Sequence, residues 1–206
     1  MGEKIVRWIK DQVRDAKAKG IVLGLSGGVD SAVVAALCKK AVGQKNLLAL
    51  VMPCQSHKQD LEDARLVARG LGIKTKVIEL SGIYDNFMKI LPGAGNLAKT
   101  NLKPRLRMLV LYYYANKLNY LVCGTGNKSE LMVGYFTKHG DGATDLLPLG
   151  NLLKKQVWAL AKELGIPERI ITKPPSAGLW LGQTDEGEMG ITYAVLDDIL
   201  ERLEKK

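Results

Sequence analysis

The stretch IVLGLSGGVDSAVVAAL, residues 21–37, constrains this chain more than any other. An apolar run enters it, Ser26, Gly27, Gly28, Asp30 and Ser31 occupy its centre, and an apolar, helix-compatible run leaves it. A strand feeding a helix through a glycine turn is the unit from which parallel α/β sheets are built. Glycines there let successive backbone N–H groups converge, and the helix that follows offers its positive dipole end, so the turn suits phosphate. Ser26 and Ser31 can add hydroxyl donors. The turn has neither the lysine of GxxxxGK[ST] nor the GxGxxG spacing, so it is not one of those nucleotide loops. Asp30 at its mouth would repel phosphates unless a cation lay between them, which points to Mg²⁺. A purely structural alternative is that Ser26 and Asp30 cap a helix.

The rest of the chain repeats the alternation. Helical spacing of Ile5, Trp8, Ile9, Val13 and Ala16 predicts a helix over 3–18 closed by Gly20. Strands follow at 21–26, 46–52, 74–80 and 120–126, with helices at 31–42, 60–72 and 81–91 between them. A long helix starts near Pro104 and is apolar almost all round beyond Arg107, which predicts burial centrally or at a subunit contact. These elements make a doubly wound parallel α/β sheet flanked by helices, in one domain spanning residues 1–206. Residues 173–190, rich in Pro and Gly and carrying Leu179 and Trp180, read as a mobile lid, with a final helix from Asp185 or Gly187 onward.

Three observations bound the surroundings. No apolar stretch approaches the roughly 18 residues of a membrane span, and the charged N-terminus is not a secretory signal, so a cytoplasmic, non-membrane protein is expected. Cys38, Cys54 and Cys123 are odd in number and far apart, as expected of buried reduced thiols, and His57 and His139 have no ligand-spaced partners for zinc. The net charge of +9 suits anionic partners, either nucleic acid or a phosphorylated small molecule.

Two further segments narrow the chemistry. GTGNKSE, 124–130, has the Asn127-to-Glu130 spacing of a helix capping box. It also places Thr125 and Glu130 at a strand's carboxyl end, beside the nucleotide and on the same Mg²⁺ as Asp30. GYFTKHGDGATDLLPLGNLLKKQV, 134–157, gathers Lys138, Asp141, Asp145 and Lys154 around glycines that let a loop wrap a ligand.

The stretch SGGVDS resembles the loop of the ATP pyrophosphatase superfamily, whose adenine nucleotide alpha hydrolase-like fold cleaves ATP between its α and β phosphates. GYFTKHGDGATDLLPL is similar to the motif of ammonia-dependent NAD synthetases, and NLKPRLRM (101–108) and KPPSAGLWLGQTDEGEMGITY (173–193) resemble two more of that family's elements. The resemblance implies an ATP-dependent amidation of deamido-NAD to NAD, the last step of NAD biosynthesis, through an acyl-adenylate attacked by ammonia. It implies that Gly24, Leu25, Ser26, Gly27, Gly28, Val29, Asp30 and Ser31 hold ATP phosphates, that Thr125, Lys154 and Ser176 contact ATP, and that Asp30 and Glu130 hold Mg²⁺. Arg105, Lys138 and Asp145 match substrate-binding positions, and Asp141 one near the nicotinate end. Asp141 and Lys154 are the residues expected at the chemistry. The family is homodimeric, with substrate across the interface. No glutaminase-like segment is visible, so free ammonia is the expected nitrogen donor and no nucleic-acid partner is expected. Family members often continue into a basic His-Lys-Arg tail, whereas this sequence stops at ERLEKK, which predicts an incomplete substrate contact. Other amide-forming or tRNA-modifying members of the superfamily, or a nucleotide-binding homologue without turnover, are the alternatives.

Overall fold

The computed structural model describes residues 1–180 and 182–204. Helix α1 (Gly2–Asp15) buries Ile9 and Val13, one turn apart, and ends before Lys17 takes a left-handed φ of 53°. The chain then enters β1 (Gly20–Gly24), turns through the glycines and continues as α2 (Val29–Val42). β2 (Leu47–Val51), α3 (Lys58–Leu71), β3 (Thr75–Val77) and α4 (Ser81–Ile90) follow. Next come α5 (Asn96–Thr100), α6 (Leu102–Leu118), β4 (Tyr120–Cys123) and α7 (Lys128–Val133). The last elements are α8 (Lys154–Glu163), α9 (Glu168–Ile171), α10 (Asp185–Met189) and α11 (Tyr193–Glu204).

The four strands are parallel in the order β3-β2-β1-β4. Ile21 of β1 pairs with Leu47 on one side and Leu121 on the other. Successive residues point to opposite faces, and both faces are covered. Ile21, Leu23, Ala49 and Val51 pack with α1, α2 and α8 residues, while Val22, Leu50 and Val122 pack with Tyr84 of α4 and Leu106 and Ala115 of α6. This double covering explains why β1 and β2 read as continuous apolar runs rather than alternating ones. The strand order reverses between β1 and β4. A doubly wound sheet places its crevice beyond the carboxyl ends of two such strands.

The sheet also demands Gly20. A Cβ there would lie 2.2 Å from the Asn46 carbonyl oxygen and 2.7 Å from the Tyr120 ring.

Several expectations needed correction. The helix predicted to close at Gly20 ends earlier, because Gly20 is already the first residue of β1. The strand over 74–80 is only three residues long and exposed, as befits a blunt sheet edge. Between the helix over 81–91 and the one from Pro104 the chain also forms α5, which no strong period announced. Central burial, one of the two expectations for the helix from Pro104, does not account for its whole surface: Leu109 is 58% and Tyr113 61% exposed in the single chain, so for that face a subunit contact is the expectation that stays open. The final helix is two helices, broken where Gly190 takes φ 68°. Cys38, Cys54 and Cys123 are buried free thiols, as expected. No helix among the described residues is long and apolar enough to cross a membrane.

Gly20→Ala is expected to destabilise the protein by about 2 kcal/mol or more, because the added methyl meets backbone as well as a ring. Urea denaturation followed by circular dichroism measures it, and a loss within 0.5 kcal/mol, roughly the size of an ordinary surface change, would contradict the packing.

Candidate active site

The turn after β1 is shaped by glycine and serine. Gly27 has φ 85°, and a Cβ on it would lie 2.6 Å from the Asp60 carbonyl oxygen, so the loop rests directly on α3. Gly28 is the N-cap of α2 and supplies no side-chain acceptor, so the first-turn N–H groups of α2 have no intrahelical partner and point into the crevice. Ser31 donates its hydroxyl to the Gly28 carbonyl (2.9 Å) and is buried. Its hydroxyl shapes the loop, and Ser31 also lines the cavity described below. Ser26, at the exposed tip, accepts from Gly28 N–H at 3.2 Å. Leu25 and Val29 are 1% and 3% exposed, so only their backbone can serve a ligand.

Asp30, one residue into α2, meets two other charges. Lys154 Nζ donates to Asp30 Oδ2 at 2.6 Å and to Glu130 Oε1 at 3.4 Å. Lys154 is 1% exposed and also lies 4.8 Å over the ring of Tyr193. Burial alone would lower its pKa, but the two carboxylates hold it up at about 12. Glu130 is pushed up to about 7, mainly by burial and then by the nearby Asp30. Asn127 completes the cluster. Its side chain accepts from Glu130 N–H and donates to Asp30 Oδ1 at 3.0 Å, while Glu130 Oε2 accepts from Asn127 N–H. The capping box and the charged site are therefore one structure, with Glu130 capping α7 through one oxygen and facing Lys154 through the other.

Two carboxylates reaching the same buried cation fit the protein's share of a Mg²⁺ site, since Mg²⁺ usually keeps waters and phosphate oxygens as its other ligands. No larger cage of His, Cys, Asp or Glu converges among the described residues. The cluster lines one side of a cavity of about 750 Å³, which also takes in the serine–glycine turn, Thr125, Asp141, Ser176 and Arg107.

The family model of NAD synthase matches residues 1–206. The chain belongs to the NAD synthase family. An NH3-dependent NAD(+) synthetase of Carboxydothermus hydrogenoformans is 56% identical over 96% of this chain and 83% of its own length. An NMN synthetase from Francisella tularensis superposes with a TM-score of 0.92 at 44% identity, over 97% of this chain and 84% of that one. An NH3-dependent NAD synthetase from Campylobacter jejuni, solved with a nitrate ion, gives 0.84 at 40% identity, covering 99% and 82%.

Within this NAD synthase fold the residues expected at the site fall into two groups. Gly24, Leu25, Ser26, Gly28, Val29, Asp30, Ser31, Thr125, Glu130, Asp141, Lys154 and Ser176 meet at the cavity, whereas Gly27 packs on α3 instead. Asp141 Oδ1 accepts from Thr137 N–H, and desolvation holds its carboxyl above the ordinary range. Arg105, Lys138 and Asp145 do not line the cavity. Arg105 Nε donates to the Lys138 carbonyl at 3.2 Å, and Tyr112 donates to Asp145 Oδ1 at 3.1 Å. The periodicity of α6 explains the split. Pro104, Arg107, Met108 and Leu111 face the cavity, while Arg105, Leu109 and Tyr113, each one turn apart, lie on another face.

Sequence reasoning missed three residues of the NAD synthase site: Arg107 and Lys173 line the cavity, and Tyr193 lies behind Glu130 in its wall. Arg107 donates to the Met52 carbonyl and to Ser56 Oγ. Tyr193 donates to Asp185 Oδ2 at 3.0 Å and lies 3.2 Å from Glu130 Oε1. Lys173 binds Asp60 and Asp63 of α3 at 2.7 and 2.8 Å, tethering the start of the 173–190 segment. For Arg107 a signal existed, its helical spacing from Pro104 and Leu111. The others pair over long sequence distances that no local pattern encodes.

Glu130 gives a pH signature. Unfolded, it ionises near its ordinary 4.5; folded, it keeps its proton to about 7. The folded state binds more protons in that window, so the stability from Glu130 is present below the lower value and lost as pH rises through the upper one. Glu130→Gln stays neutral. With chelator present, the Tm of this variant relative to the original protein should rise between pH 5 and pH 8, read by calorimetry. A difference that stays constant across that range would count against the assignment.

Proposed function

We infer that this chain is a ligase that forms a C–N bond, converting deamido-NAD to NAD with ATP and ammonia at the end of NAD biosynthesis. The observation that carries this reading is the buried Lys154, clamped by Asp30 and Glu130 where the serine–glycine turn opens into the cavity. A carboxylate is a poor acyl donor because its leaving group would be oxide. The nicotinate oxygen of deamido-NAD attacks the α-phosphorus of ATP, the α–β bridge breaks, and pyrophosphate leaves. The new acyl-adenylate carries AMP as its leaving group. Ammonia attacks the carbonyl carbon, the carbon–oxygen bond to AMP breaks, and loss of a proton gives the amide.

The chain's residues divide these tasks. The backbone N–H groups at the start of α2 hold phosphate oxygens, and Lys154 neutralises charge that grows on them as the α–β bond breaks. Thr125 and Ser176, both lining the cavity, contact ATP. Asp30 and Glu130 would hold Mg²⁺, which would supply further positive charge between these carboxylates and the phosphates. Asp141 orients the nicotinate end. Residues 173–190 act as a lid that keeps water from the adenylate, since its base is tethered by Lys173 and its Leu179 carbonyl accepts from Lys103 at 2.8 Å. The cytoplasm, where ATP is abundant and thiols stay reduced, suits an enzyme with three buried free cysteines.

Arg105, Lys138 and Asp145 bind the rest of deamido-NAD on the outer face of α6. That face exposes Leu109 and Tyr113, which supports a homodimer in which a second copy covers it and completes the substrate cleft. Leu109→Asp is expected to yield monomers by light scattering, with the KM for deamido-NAD raised about tenfold or more. Dimers with unchanged KM would remove this surface from the assignment.

The decisive assay offers deamido-NAD or nicotinate mononucleotide with ammonium or glutamine, and reads AMP release in every arm and NAD⁺, through an NAD-specific dehydrogenase, in the deamido-NAD arms. The mononucleotide arm is set by the structural likeness to an NMN synthetase. Deamido-NAD with ammonium should give NAD⁺ and stoichiometric AMP. Asp30→Asn and Lys154→Ala should each lower kcat by about 100-fold or more, the scale seen when one preorganised charge is removed. Turnover of the mononucleotide alone would reassign the substrate, and full activity in Lys154→Ala would overturn the site.

A further inference from the structure

The start of α8 raises a problem that α8 itself does not solve. Lys154 is its first residue, and the preceding Leu153 has no side-chain acceptor for the open N–H groups of the first turn. The acceptors come from two other helices. Lys154 N–H donates to Ser129 Oγ of α7 at 2.9 Å, and Lys155 N–H donates to Asp197 Oδ2 of α11 at 2.8 Å. Ser129 in turn donates its hydroxyl to Asp197 Oδ1. Both Ser129 and Asp197 are fully buried, at 0% exposure.

Asp197 has no ion-pair partner among the described residues. Lys155 Nζ goes instead to Asp198 and Glu201. A carboxylate buried with only N–H and O–H donors is an expensive group, and as a stability device an apolar residue would often serve better. What this carboxylate does hold is specific. Ser129 immediately precedes Glu130, and the capped residues are Lys154 and Lys155. One turn earlier on α11, Tyr193 touches Glu130 and carries Lys154 Nζ over its ring. Helix α11 therefore grips Lys154 at both ends, through its backbone N–H by way of Ser129 and through its ammonium.

We propose that Asp197 is a positioning residue for the amidation reaction, using Ser129 as its relay to fix Lys154 and Glu130 relative to each other. The proposal rests on the roles given above to Lys154 and Glu130. Its mechanism is geometric, because a displacement of about 1 Å in a charged group can cost about 100-fold in rate. The substrate residues on the outer face of α6 touch none of this network.

The test compares Asp197→Asn, Ser129→Ala and the exposed neighbour Asp198→Asn in the full chain, well below their Tm, by NAD⁺ formation. Asp197→Asn should lower kcat about tenfold and raise the KM for ATP about fivefold, with the KM for deamido-NAD within about twofold. Ser129→Ala should move the same two constants in the same direction by less, and Asp198→Asn should behave like the original protein. A purely structural role lowers Tm and the active fraction, which leaves both KM values where they were; that outcome overturns the proposal, as do unchanged kinetics. If Asp197→Asn does not fold, Ser129→Ala decides by the same split, since it leaves Asp197 on the Lys155 N–H. Lys154→Ala and Glu130→Gln are run alongside. Activity surviving in these two refutes the site itself, whereas their loss beside a normal Asp197→Asn refutes only the role of Asp197.

Discussion

A lysine ammonium at 1% exposure cannot exist alone in a protein interior, and most of this molecule's crevice is arranged around that fact. Taking such a charge out of water costs several kcal/mol before its partners are counted. Lys154 is compensated by Asp30 from the turn after β1, by Glu130 from the turn after β4 and by the π face of Tyr193 at the start of α11. Each partner comes from a different segment. The ion cluster can therefore form only if the sheet order, the glycine turn and the docking of the last helix are all correct. The same charges that would be a burden in an ordinary core are the ones needed beside phosphate.

How much of this was readable follows from the range of each interaction. The parallel sheet was legible because strands covered on both faces are apolar without alternation, and the glycine turn lies directly after one of them. The Asn127–Glu130 cap was legible because its partners are three residues apart. The links from Asn127 to Asp30, Lys173 to Asp63 and Ser129 to Asp197 span 97, 110 and 68 residues, and nothing local marks them. Positions such as Arg105 and Lys138 were reached by family likeness alone.

The apolar pattern of α6 left two readings open for a different reason. An apolar surface on all sides signals removal from water but does not say what removes it. Here one side of the helix borders the nucleotide cavity through Arg107 and Met108, another packs on the sheet through Leu106 and Ala115, and a third is open at Leu109 and Tyr113. A single rigid helix thus lies between the ATP side of the site and the surface assigned to the dinucleotide. Its two arginines diverge, Arg105 to the Lys138 carbonyl and Arg107 to the Met52 carbonyl and Ser56.

The placement of Asp197 and Tyr193 bears on how the protein comes into being. Strand β1 pairs with β4 about a hundred positions later, and α8 receives its cap from a helix near the far end of the described chain. A ribosome-bound intermediate that has released β1 through α8 possesses the glycine turn but has neither a seated Lys154 nor a fixed Glu130. Such a half-made chain has little to offer ATP, so nucleotide cannot template its own pocket early. Folding up to the last helix therefore rests on hydrophobic burial, which α1, α2 and α8 on one face of the sheet and α4 and α6 on the other already provide.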